Sequence, residues 1–327
     1  MRKICGPSLI FLALVLTMSS AQAQQPAKVW RIGVLVSSSP SLNAARDEAF
    51  RQGLRGIGYA DGQNIVMDYR YAGGKLDRLP ALAAELVQSK VDVIVVGGTQ
   101  AAIAAKQATA TIPIVVAGAG DLVEAGLVGS LLRPGGNVTG VSRLSPDFIG
   151  KRLSVLKQAI PKGTRVAVLI NPDNPGNESS LRQIDLDAHV LGIRLQSLTA
   201  RSPNEFEGAI KAAGNGRADA LFVMADALFH SYPSQIVQSA AKNRLPAMYD
   251  RAEFVEAGGM MSYGTNLADL SRRAVWYVDK ILKGSKPADL FLEEPIAFEL
   301  MINLKTAKAL GVMIPAELLT QANKVIK

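Results

Sequence analysis

VDVIVVGGTQ, residues 91–100, is the stretch that decides the fold. Its first six residues form an almost unbroken apolar run, which is typical of a strand covered on both faces of a parallel sheet. Two glycines and a threonine follow, and residues 99–110 then have the composition of a helix. The segment therefore predicts a strand, a tight glycine loop and a helix, which together form part of a βαβ unit.

The same alternation continues on both sides of this segment. The predicted strands span residues 29–36, 65–71, 91–96, 114–117 and 138–141, and the predicted helices span residues 43–57, 76–88, 99–110 and 124–132. We therefore expect five parallel strands connected by helices.

A second series of the same kind begins after a predicted helix at residues 148–159. Its predicted strands span residues 165–170, 193–198, 220–224, 247–249 and 259–262, followed by a helix at 266–282 and a strand-helix unit at 296–310. The long tail can return to the first series and cross again. The sequence thus predicts an α/β protein with two doubly wound parallel-sheet lobes joined by a three-crossing hinge. The predicted lobes are residues 28–142 plus 264–289 and residues 143–263 plus 290–327.

The amino terminus has the composition of an export signal. Arg2 and Lys3 precede an apolar run at residues 9–16, and Ala21-Gln22-Ala23 is a small-x-small cleavage site. We expect residues 1–23 to be a signal peptide that is cleaved after Ala23. The apolar run is shorter than the roughly 20 residues that span a bilayer. The mature chain is therefore expected to be exported and soluble.

Composition argues against several classes of protein. The only cysteine, Cys5, lies in the predicted signal peptide, so we expect no disulfide and no thiolate metal ligand in the mature chain. Loss of Arg2 and Lys3 lowers the formal charge from +8 to +6, and the remaining charges are dispersed along the sequence. Dispersed charges are typical of a solvated surface, so we do not expect nucleic acid as a partner.

Catalytic signatures are sparse. His189 and His230 are the only histidines, and neither has a partner at metal-ligand spacing. Gly118-Ala119-Gly120 begins like a dinucleotide fingerprint, but Val123 occupies the position of the third glycine. We therefore predict no catalytic residue, no metal and no cofactor.

Small polar residues follow three strands of the first lobe. In open parallel sheets, ligands bind beyond the carboxyl ends of the strands. The candidate binding residues at these ends are Ser37, Ser38, Thr99, Gln100, Gly118, Ala119 and Asp121. Each of them also has a plain structural interpretation as a helix cap or a turn residue. Taken together, the three loops predict a face that holds a carboxylate.

The second lobe offers a matching set of residues at its strand ends. The candidates are Asn171, Asp226, Ala227, Tyr249 and Asp250. Asp226 and Asp250 could neutralise an ammonium group, and Tyr249 could cover an apolar side chain. The alternatives are a helix cap, a turn residue and an ordinary packed aromatic residue. His230 follows Asp226 closely enough to line the same cleft.

Several longer stretches resemble the tryptophan/tyrosine-type ABC transporter substrate-binding proteins. They include IPIV at 112–115, AGLV at 125–128, LRPGGNVTGVS at 132–142, RLPA at 244–247, GGMMSYG at 258–264, KILKG at 280–284, FEL at 298–300 and INLKTAKALG at 302–311. The resemblance implies a type I periplasmic-binding-protein fold that grips a ligand between its lobes and delivers it to a membrane permease driven by a separate ATPase. It also implies that the loops at Ser38, Thr99 and 118–121 hold a carboxylate, while Asp226, Tyr249 and Asp250 hold the rest of the ligand.

One departure from the family concerns two of these loops. The family commonly has Asp-Pro where this chain has Asp121-Leu122 and Asp226-Ala227. An amino-acid ligand therefore does not follow from the resemblance alone.

The leading hypothesis is a periplasmic solute-binding component of an ABC importer, which binds a small carboxylate-bearing solute and makes or breaks no bond. The solute is an amino acid, which could be aromatic, or an organic acid, and the protein is expected to be a monomer. One alternative is a binding protein that presents its ligand to a sensory membrane receptor. Another is an exported hydrolase or isomerase that uses Asp121 or Asp226 as a base.

Overall fold

The computed structural model describes residues 28–120, 122–142, 147–174, 178–294 and 298–327. The strands are β1 (Trp30–Val36), β2 (Ile65–Tyr71), β3 (Val93–Gly97), β4 (Ile114–Ala119), β5 (Val138–Ser142), β6 (Arg165–Ile170), β7 (Arg194–Thr199), β8 (Ala220–Val223), β9 (Ala247–Tyr249), β10 (Met261–Gly264), β11 (Glu299–Asn303) and β12 (Lys324–Ile326). They form two sheets. The predicted signal peptide lies outside the described residues.

The helices cover both faces of each sheet. They are α1 (Pro40–Gly56), α2 (Leu79–Gln88), α3 (Thr99–Ala108), α4 (Asp147–Ala159), α5 (Glu178–Val190), α6 (Phe206–Asn215), α7 (Ala227–Ser231), α8 (Pro233–Lys242), α9 (Ala252–Glu256), α10 (Leu267–Leu282), α11 (Leu304–Ala309) and α12 (Ala316–Gln321). Among the ranges given above, no helix has the length and apolar character needed to cross a membrane.

Lobe 1 is built on the sheet with strand order β2-β1-β3-β4-β5, which is parallel throughout. Alternate residues of its strands pack against different helices. Val34 contributes to a core with α1 and α10, whereas Leu35 contributes to a core with α2 and α3. Because both faces are covered, the strands are apolar at nearly every position, as the sequence predicts.

Lobe 2 is built on the sheet with strand order β12-β11-β10-β9-β8-β6-β7. Its strands are parallel except for the β10–β11 pair, which is antiparallel. Neighbouring strands are parallel when a helix carries the chain back across the sheet between them. The chain enters β11 from lobe 1, without such a helix among the described residues, so β11 can run antiparallel to β10. The predicted α/β class with two parallel-sheet lobes is confirmed.

The chain passes between the two sheets three times. It leaves lobe 1 after β5, returns between β10 and α10, and leaves again after Glu293. Glu293 is anchored to β5, since its N–H donates to Gly140 O and its carbonyl accepts from Ser142 N. The exact residue limits proposed for the lobes stay a prediction.

The predicted helix at residues 124–132 is wrong. The structure has turns there, with Gly126 N donating to Val123 O and Leu127 N to Leu122 O. Gly126 has a φ of +68°, a left-handed conformation that ends helical progression. Leu127 and Val128 are buried nonetheless. Turns therefore bury two of the apolar residues that suggested a helix, whereas Leu132 is 82% exposed.

Candidate functional site

The carboxyl ends of the strands in the two sheets face one another across a small pocket. Its lining residues come from both lobes and are Val36, Ser37, Ser38, Arg46, Gly97, Gly98, Thr99, Gln100, Gly120, Asn174, Ala225, Asp226, Ala227, His230 and Arg251. The pocket has a volume of about 20 Å³. A cavity of this size holds roughly one water molecule, so the two walls lie close together.

Ser37 and Ser38 follow β1 and form one part of the lobe 1 wall. Both side chains are buried. Their backbone is fixed by the turn after β2, because Gly74 N donates to Ser37 O at 2.8 Å and Gly73 N donates to Ser38 O at 3.2 Å. Two hydroxyl groups are thus held at the pocket on a backbone that has its own hydrogen bonds.

The loop after β3 forms the next part of the lobe 1 wall. Gly98 is the N-cap residue of α3, with a φ of +98° and no side-chain cap, so Thr99 does not cap this helix. The Thr99 hydroxyl instead accepts a hydrogen bond from Gly120 N at 3.0 Å. Gly98 N donates to Gly118 O at 3.1 Å. The loops after β3 and β4 are therefore joined to each other.

Arg46 reaches the lobe 1 wall from α1. Its side chain is buried, and Nη2 donates to Ala117 O at 3.3 Å. A Cβ at Gly97 would lie 2.7 Å from Nη2, so the absence of a side chain at this position leaves room for the guanidinium. The result is a fixed positive charge beside neutral hydroxyl groups.

A buried polar network lies next to Arg46 on α1. Asn43 Nδ2 and Tyr71 Oη each donate to a different oxygen of Asp47 at 2.6 Å. Burial raises the pKa of Asp47, and these two hydrogen bonds together with nearby arginines oppose the rise. The network fixes the face of α1 that carries Arg46.

Asp226 dominates the lobe 2 wall. It is 1% exposed and caps α7, where it accepts from Leu228 N at 2.8 Å. Asn171 Nδ2 and Asn174 Nδ2 donate to its two oxygens at 3.1 and 2.7 Å. Burial raises the pKa of Asp226, which these three hydrogen bonds oppose, while the charge of Asp250 adds to the rise. The carboxylate thus lines the pocket and has neutral donors as its hydrogen-bond partners within the described ranges.

His230 and Asp250 form a buried pair in the same wall. His230 Nε2 lies 3.0 and 2.9 Å from the two oxygens of Asp250, which places the Nε2 proton towards the carboxylate. Their side chains are 4% and 5% exposed. His230 lines the small pocket, whereas Asp250 lines an adjoining space of about 520 Å³. Arg46 lines both spaces.

The structure brings half of the predicted residues together at the pocket. The predicted residues that line it are Ser37, Ser38, Thr99, Gln100, Asp226 and Ala227. Asn171 and Asp250 do not line the pocket, but each is hydrogen bonded to a residue that lines it, namely Asp226 and His230. Asp121 lies outside the described residues.

Gly118, Ala119 and Tyr249 are placed elsewhere. Tyr249 is fully buried in the core of lobe 2 and stacks on Phe254, with ring centroids 4.6 Å apart. A Cβ at Gly118 would meet Leu270 of α10, and Ala119 is fully buried in β4. Side chains within a strand point towards the helical layers on either side. The three residues belong to strands and lie against these layers, whereas the last residues of β1 and β3 border the pocket.

The pocket also contains residues that the sequence analysis did not select as binding residues. The main ones are Arg46, Asn174 and Arg251, and His230 also lines the pocket, as its position after Asp226 led us to expect. Asn174 and Arg251 are close in sequence to selected residues, and His230 is one helical turn after Asp226. The signal for Arg46 is a polar cluster on the buried stripe of α1. Nothing in that stripe indicates that it reaches the strand ends.

Across the ranges described for this chain, no group of three or more His, Cys, Asp or Glu side chains is arranged to hold a metal ion. Among the residues that the structure describes, the pocket is lined by hydroxyl groups, amides, guanidinium groups, one imidazole and one carboxylate. Such a set can hold a small solute that carries both an acceptor and a donor.

The chain is similar to known proteins in both sequence and structure. A family model described as ABC transporter substrate binding protein matches residues 31–326. A "Tyrosine-binding protein" of Clostridioides difficile (strain R20291) is 30% identical over 273 residues, which is 83% of this chain and 77% of the relative.

Two solved structures are similar over almost all of the chain. A conserved domain protein from Vibrio cholerae O1 biovar El Tor is 30% identical with a TM-score of 0.86, covering 91% of this chain and 100% of that one. An ABC domain in complex with L-Trp from Streptococcus pneumoniae is 28% identical with a TM-score of 0.84, covering 91% and 99%.

Proposed function

Because the chain belongs to the family of ABC transporter substrate-binding proteins, we propose that it is the periplasmic component of an importer and binds an amino acid between its two lobes. It then delivers the solute to a membrane permease driven by a separate ATPase. The protein acts as a monomer and leaves the solute chemically unchanged.

The observation that carries the proposal is the environment of Asp226. Taking a carboxylate out of water is costly unless an opposite charge compensates it. The three hydrogen bonds to Asp226 come from two amides and one backbone N–H, and the group lines the pocket. The ammonium group of a solute would supply the missing positive charge.

The opposite wall suits a carboxylate. Ser37, Ser38 and Thr99 present hydroxyl groups, and Arg46 adds a guanidinium. Hydrogen bonds from a charged donor to a carboxylate are stronger than neutral ones. A solute with a carboxylate at one end and an ammonium at the other would therefore bridge the two lobes and favour their closure.

The related proteins support an amino acid as the solute. One is described as binding tyrosine and another was solved with L-Trp. In this chain, neither the small pocket nor the adjoining space has Phe, Tyr or Trp among its described lining residues. The proposal therefore covers amino acids in general and does not require an aromatic side chain.

Isothermal titration of the purified protein against L-amino acids tests the proposal. Each amino acid that binds is compared with its deaminated and its decarboxylated analogue, for example L-Trp with indole-3-propionate and tryptamine. We expect loss of either group to weaken binding at least tenfold. Absence of binding to every amino acid, together with unchanged dimensions in small-angle X-ray scattering, would refute the proposal.

A further inference from the structure

A second contact between the lobes lies beside the pocket. The turn after β2 places Gly74 against the end of α7 in lobe 2. A Cβ at Gly74 would lie 2.9 Å from Ser231 Cβ and 3.0 Å from Tyr232 Oη. Gly74 is buried, with a φ of +83°. We call Gly74, Leu76, Ser231 and Tyr232 the closing contact.

Leu76 extends this contact into the cores of both lobes. It packs against the lobe 1 core that contains α2 and α3, and also against the lobe 2 core that contains α6 and α8. Tyr232 packs on Phe206 of that lobe 2 core, with ring centroids 6.1 Å apart. The closing contact therefore connects the apolar cores of the two lobes.

Both sides of the closing contact are joined to the pocket walls. On the lobe 1 side, Gly74 N donates to Ser37 O at 2.8 Å. On the lobe 2 side, the short helix α7 carries Asp226 at its start and Ser231 at its end. Ser231 Oγ also donates to Ala227 O at 2.8 Å. A rotation that moves α7 away from the loop after β1 would therefore also move Ser231 and Tyr232 away from Gly74.

We propose that the closing contact sets the affinity for the solute from outside the pocket. The contact exists only when the lobes are closed, so it raises the closed population available to a solute that bridges them. Apparent affinity scales with the fraction of protein in the binding-competent conformation. The inference rests on the proposed function, because it concerns closure of the same cleft.

Two neighbouring glycines allow a matched test. Gly73 and Gly74 both have a positive φ, +64° and +83°, so alanine strains the backbone at either position. A Cβ at Gly73 would meet nothing within 4 Å, whereas a Cβ at Gly74 would meet lobe 2. The difference between Gly73→Ala and Gly74→Ala therefore isolates the closing contact from local strain.

Affinity and radius of gyration are measured for both variants. We expect Gly74→Ala to bind the best amino acid at least tenfold more weakly than Gly73→Ala, and to have a larger radius of gyration in scattering. Ser231→Gly removes the nearest atom, so in the Gly74→Ala background it should recover part of the lost affinity. Equal affinity and equal radius of gyration for the two single variants would overturn the inference.

The two proposals fail in different ways. If no amino acid binds the wild-type protein, the proposed function is refuted, and the radius of gyration of the two solute-free variants alone decides the role of the closing contact. If amino acids bind and the variants do not differ, only the closing contact is refuted.

Discussion

The two walls of the cleft differ in how they carry their polar groups. Lobe 1 offers the hydroxyl groups of Ser37, Ser38 and Thr99 on loops that are hydrogen bonded to one another, with Arg46 beside them. Lobe 2 offers a buried carboxylate, Asp226, on a one-turn helix. Neutral hydroxyls are much less costly to bury than an ion, so these three side chains need no compensating charge.

This difference assigns a separate task to each lobe. In the proposed function, lobe 1 supplies donors for the anionic group of the solute. Lobe 2 supplies the Asp226 carboxylate, which accepts hydrogen bonds from neutral donors within the described residues and would pair with the ammonium group of the solute. Selectivity for a positively charged group is therefore expected to reside in lobe 2, and recognition of the anionic group in lobe 1.

The strongest test removes the charge from lobe 2. Asp226→Asn keeps an oxygen that can accept from Leu228 N but cannot neutralise an ammonium group. We expect amino-acid affinity measured by titration to fall by about 2 kcal/mol or more, roughly 30-fold, because truncated buried charge pairs cost this much. Asp219→Asn is the control, since this exposed carboxylate also accepts from backbone N–H groups of lobe 2. Equal losses in both variants would contradict the division between the walls.

The pH dependence of binding sharpens the same comparison. Burial raises the pKa of Asp226, so protonation removes its charge at a higher pH than for an ordinary carboxyl group. We expect amino-acid affinity to fall as the pH is lowered towards the raised pKa of Asp226, and to fall less in Asp226→Asn. The His230 and Asp250 pair is present in both proteins, so the difference between the two curves belongs to Asp226. Parallel curves would argue against this assignment.

Stability without solute should follow the opposite trend. Because the pKa of Asp226 is raised on folding, the folded protein binds this proton more tightly than the unfolded chain does. The resulting stabilisation is present at low pH and is lost as the pH rises through the folded-state pKa. The thermal midpoint of Asp226→Asn minus that of the wild type should therefore increase as the pH is raised.

A smaller effect is expected in lobe 1. Thr99→Val removes a hydroxyl that lines the pocket and accepts from Gly120 N. We expect affinity to fall by about 1 kcal/mol, roughly fivefold. Thr109→Val is the control, because its hydroxyl accepts from Thr111 N and Ile112 N at the far end of α3. Both variants should lose thermal stability, but a loss of affinity in Thr109→Val would show that the effect is not local.

The smallest effect on affinity is expected at Tyr249. Its hydroxyl is buried and has no hydrogen-bond partner within the described residues, so Tyr249→Phe should leave affinity unchanged and raise stability by up to about 1 kcal/mol. In Tyr277→Phe, loss of the bond from Tyr277 Oη to Phe291 O should lower stability by a similar amount. Urea unfolding of both variants measures the two changes. A weaker affinity in Tyr249→Phe would instead place this residue in the binding wall.

Much of the fold could be predicted because burial on both faces of a parallel sheet leaves a continuous apolar run in the sequence. The family resemblance is confirmed by the matching family model. The turns at residues 122–128 could not be predicted, because apolar spacing does not distinguish a helix from turns that bury the same side chains.

The cleft was predictable where a residue lies in the loop that follows a strand. Ser37, Thr99 and Asp226 come one, two and three residues after the ends of β1, β3 and β8, and all three line the pocket. Arg46 is on a helix and reaches the pocket only through the packing of α1 on the sheet, which the sequence pattern does not specify. Tyr249 is the last residue of its strand, and its side chain packs in the core of lobe 2.

The hydrogen bonds among the lobe 1 loops have a consequence for the order of binding. Thr99 to Gly120, Gly98 to Gly118 and Gly74 to Ser37 are bonds within one lobe, so they persist when the cleft is open. In the proposed function, the solute meets a surface on lobe 1 that is already ordered, so the protein loses little conformational entropy when the solute docks there. We therefore expect the solute to contact lobe 1 first and lobe 2 to close over it afterwards.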